Sequence, residues 1–228
     1  MSQPLITTAM RNVPKTAAVF VHGLFLNGAE FALLRRYIAR KYGYECLRFS
    51  YPTVRGSLES TLQQLREFVA RIDSEQVHFV GHSLGGIVLS RYFEREPAAP
   101  AGRVVLLGTP LAGSRSARAV ARHALLRRIV GPLVAQELVE SCAPRRWPEA
   151  RELGVIAGTR PLGLGRFFAR FEEDCDGTVA VSETRLSGQK AHVTLPVSHM
   201  GMLASAVVAE QVGEFLANGT FRLPGSSA

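Results

Sequence analysis

Residues 77–89 hold the pattern that most restricts how this chain can fold. An apolar run from Val77 leads through Gly81-x-Ser83-x-Gly85 into a segment whose apolar residues recur at helical spacing. A sharp turn from a strand into a helix strains the residue at its apex. Glycine is needed two positions before and after it, because a Cβ there would collide with neighbouring backbone. The pattern therefore predicts that Ser83 stands above the end of a strand, as a nucleophile does.

The rest of the chain alternates between short apolar runs and segments of helical periodicity. The runs lack polar alternation, which is typical of strands buried on both faces of a parallel sheet. The predicted strands are residues 17–22, 45–51, 77–81, 103–108, 154–158 and 192–196. The predicted helices, residues 29–42, 57–72, 85–95 and 200–217, would cover both faces of the sheet. We therefore expect an α/β fold with a mostly parallel central sheet, in one domain over residues 1–228.

Composition limits the partners of the chain. Its 228 residues are 46% apolar, and the net charge of +8 is carried almost wholly by arginine. No basic stretch interleaved with aromatic residues accompanies that charge, so we expect no nucleic-acid partner. Cys46, Cys142 and Cys175 have neither an even count nor metal-ligand spacing, so we expect reduced thiols and no metal site. Residues 1–16 lack the apolar core of a signal peptide and no run could span a bilayer, so we expect a cytoplasmic protein.

Residues 111–148 interrupt the alternation, because one helix would suffice between the two strands that they separate. Their apolar residues recur at helical spacing with arginines between them, which predicts a small helical cap. The apolar set is Val120, Leu125, Leu126, Ile129, Val130, Leu133, Val134, Leu138 and Val139, and the arginines are Arg115, Arg118, Arg122, Arg127 and Arg128. Such a cap could line an acyl pocket and bring its arginines to an anionic membrane surface. An ordinary packed helical excursion with a solvated face is the alternative.

A serine is a poor nucleophile unless a base takes its proton and a third group orients that base. In the strand-turn-helix architecture predicted here, the base follows the last strand. His199 lies there, directly before the last predicted helix. The other histidines considered are less suitable as the base. His78 lies within a predicted strand, His123 lies in the cap, and His192 lies at the opposite end of the sheet.

The orienting acid should precede the histidine in the chain, and residues 172–176 supply four carboxylates. Asp176 is the candidate because Gly177 allows a tight turn directly after it. Asp174 is the reserve. A calcium site is an alternative for such a cluster, but the ordered spacing of a calcium loop is absent.

An oxyanion would need preorganised backbone donors. The amide of Leu84, at the start of the helix after Ser83, supplies one, and the loop after the first strand supplies the other. Gly23 permits a close turn there that aims the Leu24 amide inward. The apolar side chains of Phe25 and Leu26 would border the substrate.

Several motifs together resemble the α/β-hydrolase superfamily, and within it the compact bacterial lipases and esterases. They are Val-His-Gly-Leu at 21–24, Gly-His-Ser-Leu-Gly-Gly at 81–86, Gly-Thr-Pro-Leu-Ala-Gly-Ser at 108–114, Asp176-Gly177-x-Val179 with Ser182 and Leu186, and His199-x-Gly201-x-Leu203. The resemblance implies the fold and a catalytic cycle through an acyl-enzyme without a cofactor. It also implies the triad roles of Ser83, Asp176 and His199.

The residues and the resemblance together predict a serine carboxylic-ester hydrolase that acts on small to medium acyl esters or lipids. Two other interpretations stay open. The same triad could serve an acyltransferase or a thioesterase, because nothing in the sequence fixes the acyl acceptor or the leaving group. A hydrolase scaffold could also serve as a non-catalytic lipid-binding or interaction module, since fold does not determine chemistry.

Overall fold

The computed structural model describes residues 15–121, 130–135, 137, 146–148, 150–162 and 173–222. Six parallel strands form one sheet in the order β2-β1-β3-β4-β5-β6. They are β1 (Thr16–Val21), β2 (Glu45–Phe49), β3 (Gln76–His82), β4 (Val104–Leu107), β5 (Leu153–Gly158) and β6 (Ala191–Leu195). The prediction of a parallel central sheet is confirmed, and every strand of it coincides with a predicted one.

Helices cover both faces of this sheet. They are α1 (Ala32–Tyr42), α2 (Leu58–Val69), α3 (Leu84–Arg95), α4 (Arg115–Ala121) and α5 (Ala206–Asn218). Alternate residues of β1 divide between two apolar clusters: Val19 and Val21 pack with residues of α2 and α3, whereas Ala18 and Phe20 pack with residues of α1 and α5. This two-sided burial explains why the strands read as continuous apolar runs.

Two of the predicted helices begin later than their periodicity suggests. Residues Ala29–Phe31 form a 3₁₀ turn before α1, and Gly201–Ala204 form another before α5. Ser205 separates the second turn from α5 because its backbone is extended (φ −88°, ψ 125°) and its hydroxyl accepts a hydrogen bond from the Val208 amide. A serine with this geometry begins a helix rather than continuing one. The prediction of one continuous helix over residues 200–217 is therefore wrong.

Part of the predicted cap is described. The chain forms α4 and then, over residues 130–134, a helical segment that packs on the loop after β2. Glu137 is almost fully buried and accepts a 2.6 Å hydrogen bond from the Nε of Arg91 in α3. Leu133, Val134 and Trp147 join the core on that face. The predicted cap residues Arg122, Leu125, Leu126, Arg127, Arg128, Ile129, Leu138 and Val139, and the Val120 side chain, lie outside the described part, so the lining of a pocket by this segment stays a prediction.

Cys46 and Cys175 are free thiols, while Cys142 lies outside the described residues. Within the described ranges, no three His, Cys, Asp or Glu side chains cluster in a way that could hold a metal ion. None of the described helices is long and apolar enough to cross a membrane.

Candidate active site

Ser83 occupies the strained turn that the sequence predicts. It lies between the last residue of β3 and the first residue of α3, with φ 53° and ψ −120°. A residue without β-branching can hold this conformation, but at a cost of about 1–3 kcal/mol that the surrounding structure must offset. The Ser83 amide is fixed by a 2.9 Å hydrogen bond to the carbonyl oxygen of Leu107, the last residue of β4. The turn is therefore tied to the neighbouring strand.

The glycines that flank Ser83 are required by close approach. A Cβ at Gly85 would lie 2.1 Å from the carbonyl oxygen of Val21, and one at Gly81 would lie 2.8 Å from the Cα of Gly86. In both cases the obstacle is backbone, which cannot move aside as a flexible side chain can. The helix α3 thus packs directly on the end of β1, which fixes the height of Ser83 above the sheet.

Asp176 and His199 form a buried hydrogen-bonded pair. The Nδ1 of His199 lies 2.7 Å from the Oδ2 of Asp176, and the His199 amide donates to the Asp176 carbonyl oxygen over 2.9 Å. The other carboxylate oxygen, Oδ1, accepts from the amides of Thr178 and Val179 at 2.9 and 2.7 Å. Every oxygen of the carboxylate is therefore satisfied, as a buried acid needs. Gly177 at φ 94° makes the tight turn between these contacts.

The Asp176–His199 pair lies at the end of β4. Gly108 has φ 52°, and a Cβ there would stand 2.8 Å from the Asp176 Oδ2 and 3.1 Å from the His199 Nδ1. Its neighbour Leu107 accepts the hydrogen bond from the Ser83 amide. The end of β4 therefore touches the turn that carries Ser83 on one side and the pair of Asp176 and His199 on the other.

His82 belongs to the candidate site by its contacts, although the sequence analysis does not single it out. Its Nε2 lies 3.0 Å from the carbonyl oxygen of His199, and the two imidazole centroids are 4.6 Å apart. Burial, together with the nearby His199, lowers the pKa of His82 well below its usual range. Its position could have indicated it: His82 directly follows the predicted strand and directly precedes Ser83, so its side chain must lie next to the turn.

The loop after β1 lies against Ser83. A Cβ at Gly23 would be 3.1 Å from the Ser83 Cβ. A turn closes from the Leu26 amide to the Gly23 carbonyl oxygen, and Phe25 adopts a left-handed φ of 62° with its amide bound to the Thr53 hydroxyl. The Leu24 amide thus lies in a fixed turn beside Ser83. The Leu84 amide is the first of α3, a position that has no intrahelical acceptor.

The His22 ring joins this loop to the residues that follow β2. Its Nδ1 lies 3.0 Å from the Gly23 carbonyl oxygen, and its Nε2 lies 3.2 Å from the Tyr51 amide. Because the carbonyl can only accept and the amide can only donate, the proton resides on Nδ1. Burial lowers the pKa of His22, which keeps the ring neutral in this role. Tyr51 stacks on the ring and donates its hydroxyl proton to the His22 carbonyl oxygen.

The two apolar residues predicted to border a substrate have different surroundings. Phe25 is 60% exposed, whereas Leu26 is partly buried against the core cluster that contains Phe31. Met200, which directly follows His199, is 50% exposed. Phe25 and Met200 are therefore apolar side chains that the loops bearing Gly23 and His199 present to solvent.

The other histidines considered as the base either hydrogen-bond elsewhere in the fold or lie outside the described residues. The Nδ1 of His78 accepts from the Arg103 amide, and the Nε2 of His192 pairs with the Thr184 hydroxyl. Burial lowers the pKa of each histidine to about 4. His123 lies outside the described residues. Of the two acids considered, Asp176 is the one that contacts His199.

Comparisons with known proteins agree with this geometry. A family model for the alpha/beta hydrolase family matches residues 18–200. No curated protein sequence matches the chain significantly.

Solved structures show the same fold. Lipase BlEst2 of Bacillus licheniformis, in its mature form, superposes with a TM-score of 0.67 at 20% identity, over 90% of this chain and 92% of the lipase. A metagenomic carboxyl esterase gives 0.65 at 19% identity, over 82% of this chain and 65% of that one. Polyneuridine aldehyde esterase gives 0.55 at 16% identity, over 90% and 98% of the two chains. Because the family model spans the chain from within β1 to just beyond His199, the protein belongs to the alpha/beta hydrolase family.

Proposed function

We propose that the protein is a serine hydrolase of carboxylic esters in which Ser83 is the nucleophile, His199 the general base and Asp176 the residue that orients the base. The observation that carries the proposal is the buried 2.7 Å contact between His199 and Asp176 at the strand end that also fixes the Ser83 turn. A carboxylate on Nδ1 holds the proton there, which leaves Nε2 of the imidazole free to accept the serine proton.

The reaction follows from these positions. His199 takes the hydroxyl proton as the Ser83 oxygen attacks the ester carbonyl carbon. The charge that develops on the carbonyl oxygen is stabilised by the amides of Leu24 and Leu84. His199 then gives the proton to the departing alcohol, which leaves an acyl-enzyme on Ser83. A water molecule, deprotonated by His199 in its turn, hydrolyses that ester and releases the acid.

The substrates proposed are small to medium acyl esters or lipids. Phe25 at 60% exposure and Met200 at 50% exposure supply apolar surface on the two loops beside the reacting groups. Such side chains would gain from contact with an acyl chain at roughly 25 cal/mol per Å² of apolar area removed from water. Relatives of this fold include a lipase and a carboxyl esterase, which is consistent with this substrate class.

Hydrolysis of p-nitrophenyl esters with acyl chains of graded length tests the proposal. Turnover that vanishes in Ser83→Ala, with an unchanged thermal unfolding midpoint, supports Ser83 as the nucleophile. Turnover that persists in the purified variant refutes the assignment. Repeating the assay with an added alcohol acceptor, and analysing the products, separates hydrolysis from acyl transfer.

A further inference from the structure

The residue before the nucleophile makes a contact that the reaction scheme does not use. His82 ends β3 and is 1% exposed. Its Nε2 faces the main-chain carbonyl oxygen of His199 at 3.0 Å, across 117 positions of sequence. Because a carbonyl can only accept, the proton of the His82 imidazole must reside on Nε2. The residue next to the nucleophile therefore donates a hydrogen bond to the backbone of the proposed base.

The surroundings of the ring favour this single tautomer. Nδ1 of His82 is buried and has no hydrogen-bond partner among the described residues. It faces the loop after β1, where a Cβ at Gly23 would lie 3.1 Å away. A second proton on Nδ1 would thus be buried without an acceptor, which disfavours the charged ring. Burial and the neighbouring His199 also lower the pKa of His82.

The ring is held in place on its other sides. Phe31 packs edge-on against it with ring centroids 6.5 Å apart, and the imidazole of His199 lies 4.6 Å away at an angle of 45°. His82 itself belongs to the strand whose next residue is the strained Ser83. Because the ring is fixed in this way, the hydrogen bond from His82 holds the His199 backbone at a fixed distance from the Ser83 turn.

We propose that His82 is a positioning residue for His199, tying the loop that carries the base to the turn that carries the nucleophile. This inference rests on the proposed function. Asp176 fixes the His199 ring and its amide from one side, and His82 fixes the His199 carbonyl from the other. Without the hydrogen bond from His82, the contact between Asp176 and His199 can still form, but the His199 ring can move relative to Ser83. His82 stays neutral when His199 gains a proton, so it does not compete as a base.

Steady-state kinetics on p-nitrophenyl butyrate test this role with three variants. His82→Leu removes the donor, and kcat should fall on the order of a hundredfold while KM changes little, because misplacement by about 1 Å has that effect on an assembled site. His82→Gln restores a donor at the distance of the imidazole Nε2, and should recover most of the lost kcat. His78→Leu, a buried histidine in the same strand, should lower the unfolding midpoint but leave kcat within about twofold.

A nuclear magnetic resonance measurement makes the test independent of turnover. The proton between His199 and Asp176 should give a downfield resonance in the wild type, and its exchange with solvent should become roughly tenfold faster in His82→Leu but not in His78→Leu. Unchanged exchange, or a kcat of His82→Leu within threefold of the wild type, overturns the positioning role. A wild type without ester turnover refutes the proposed function instead, and the exchange rates still decide whether His82 positions His199.

Discussion

The Oδ2 of Asp176 lies 2.7 Å from the Nδ1 of His199, although the two residues are 23 positions apart in the chain. The contact joins the loop after β5 to the loop after β6, both at the carboxyl edge of a parallel sheet. Parallel strands bring successive loops to the same edge, which is why a remote acid and histidine can meet there.

Replacing Asp176 by asparagine should abolish the proposed ester hydrolysis without unfolding the protein. The amide oxygen can still accept from Thr178 and Val179, but the amide nitrogen would face His199 and force its proton onto Nε2. On the proposed mechanism, His199 could then no longer accept the proton of Ser83, and kcat for ester hydrolysis should fall about 10⁴-fold, as such a replacement does in known serine triads.

Asp174→Asn is the matched control for that experiment. Asp174 lies two positions away and its side chain is not the one that contacts His199. Its kcat should stay near that of the wild type. The reverse result, with Asp174→Asn inactive and Asp176→Asn active, would show that the acid is misassigned.

Gly85→Ala should be far more destabilising than Gly43→Ala. A Cβ at Gly85 would stand 2.1 Å from the Val21 carbonyl oxygen, so α3 would have to move away from β1 at a cost of about 3 kcal/mol. Gly43, which ends α1 at φ 71°, has open space around it, so alanine there carries only the conformational cost of about 1 kcal/mol. Urea unfolding of both variants measures the difference, and equal losses would contradict the packing described for the Ser83 turn.

Acid should destabilise the fold through histidines that are buried in the neutral form. The pKa of His78 is lowered by burial from 6.5 to about 4, so between these values the unfolded chain binds a proton that the folded chain does not. The free energy of unfolding must therefore fall as the pH is lowered through this range, by about 3 kcal/mol for this residue. The lost stability should be regained fully above pH 6.5.

His78→Asn isolates that contribution. The asparagine oxygen can take over the hydrogen bond from the Arg103 amide, so the contact that His78 makes in the fold is preserved. Urea unfolding at a series of pH values should then show a shallower decline between pH 6.5 and 4 than in the wild type. An identical decline in both proteins would assign the acid sensitivity to other groups.

The sequence predicts the sheet, the strained turn at Ser83 and the acid that contacts His199, because these depend on local patterns. Val77 and its neighbours read as a strand buried on both faces, and the glycines around Ser83 mark the turn. Asp176 could be selected among four carboxylates because Gly177 follows it, and Gly177 does adopt the left-handed conformation that a tight turn needs.

What the sequence does not predict depends on contacts between distant residues. The hydrogen bond from His82 to the His199 carbonyl oxygen joins residues 117 positions apart, so no local pattern in the sequence indicates it. The left-handed conformation of Phe25 is held by Thr53 from another loop, and no glycine marks it. The break at Ser205 was missed because the apolar spacing continues across a residue that acts as a helix cap.

Labelling by a fluorophosphonate probe, with the modified residue located by peptide mass spectrometry, measures most directly whether the turn after β3 holds an activated serine. The wild type should be modified at Ser83 alone, Ser83→Ala should remain unmodified, and His199→Ala should react at least about a hundredfold more slowly for want of its base. Modification at another residue, or an undiminished rate in His199→Ala, would contradict the assignment of Ser83 and His199 as nucleophile and base.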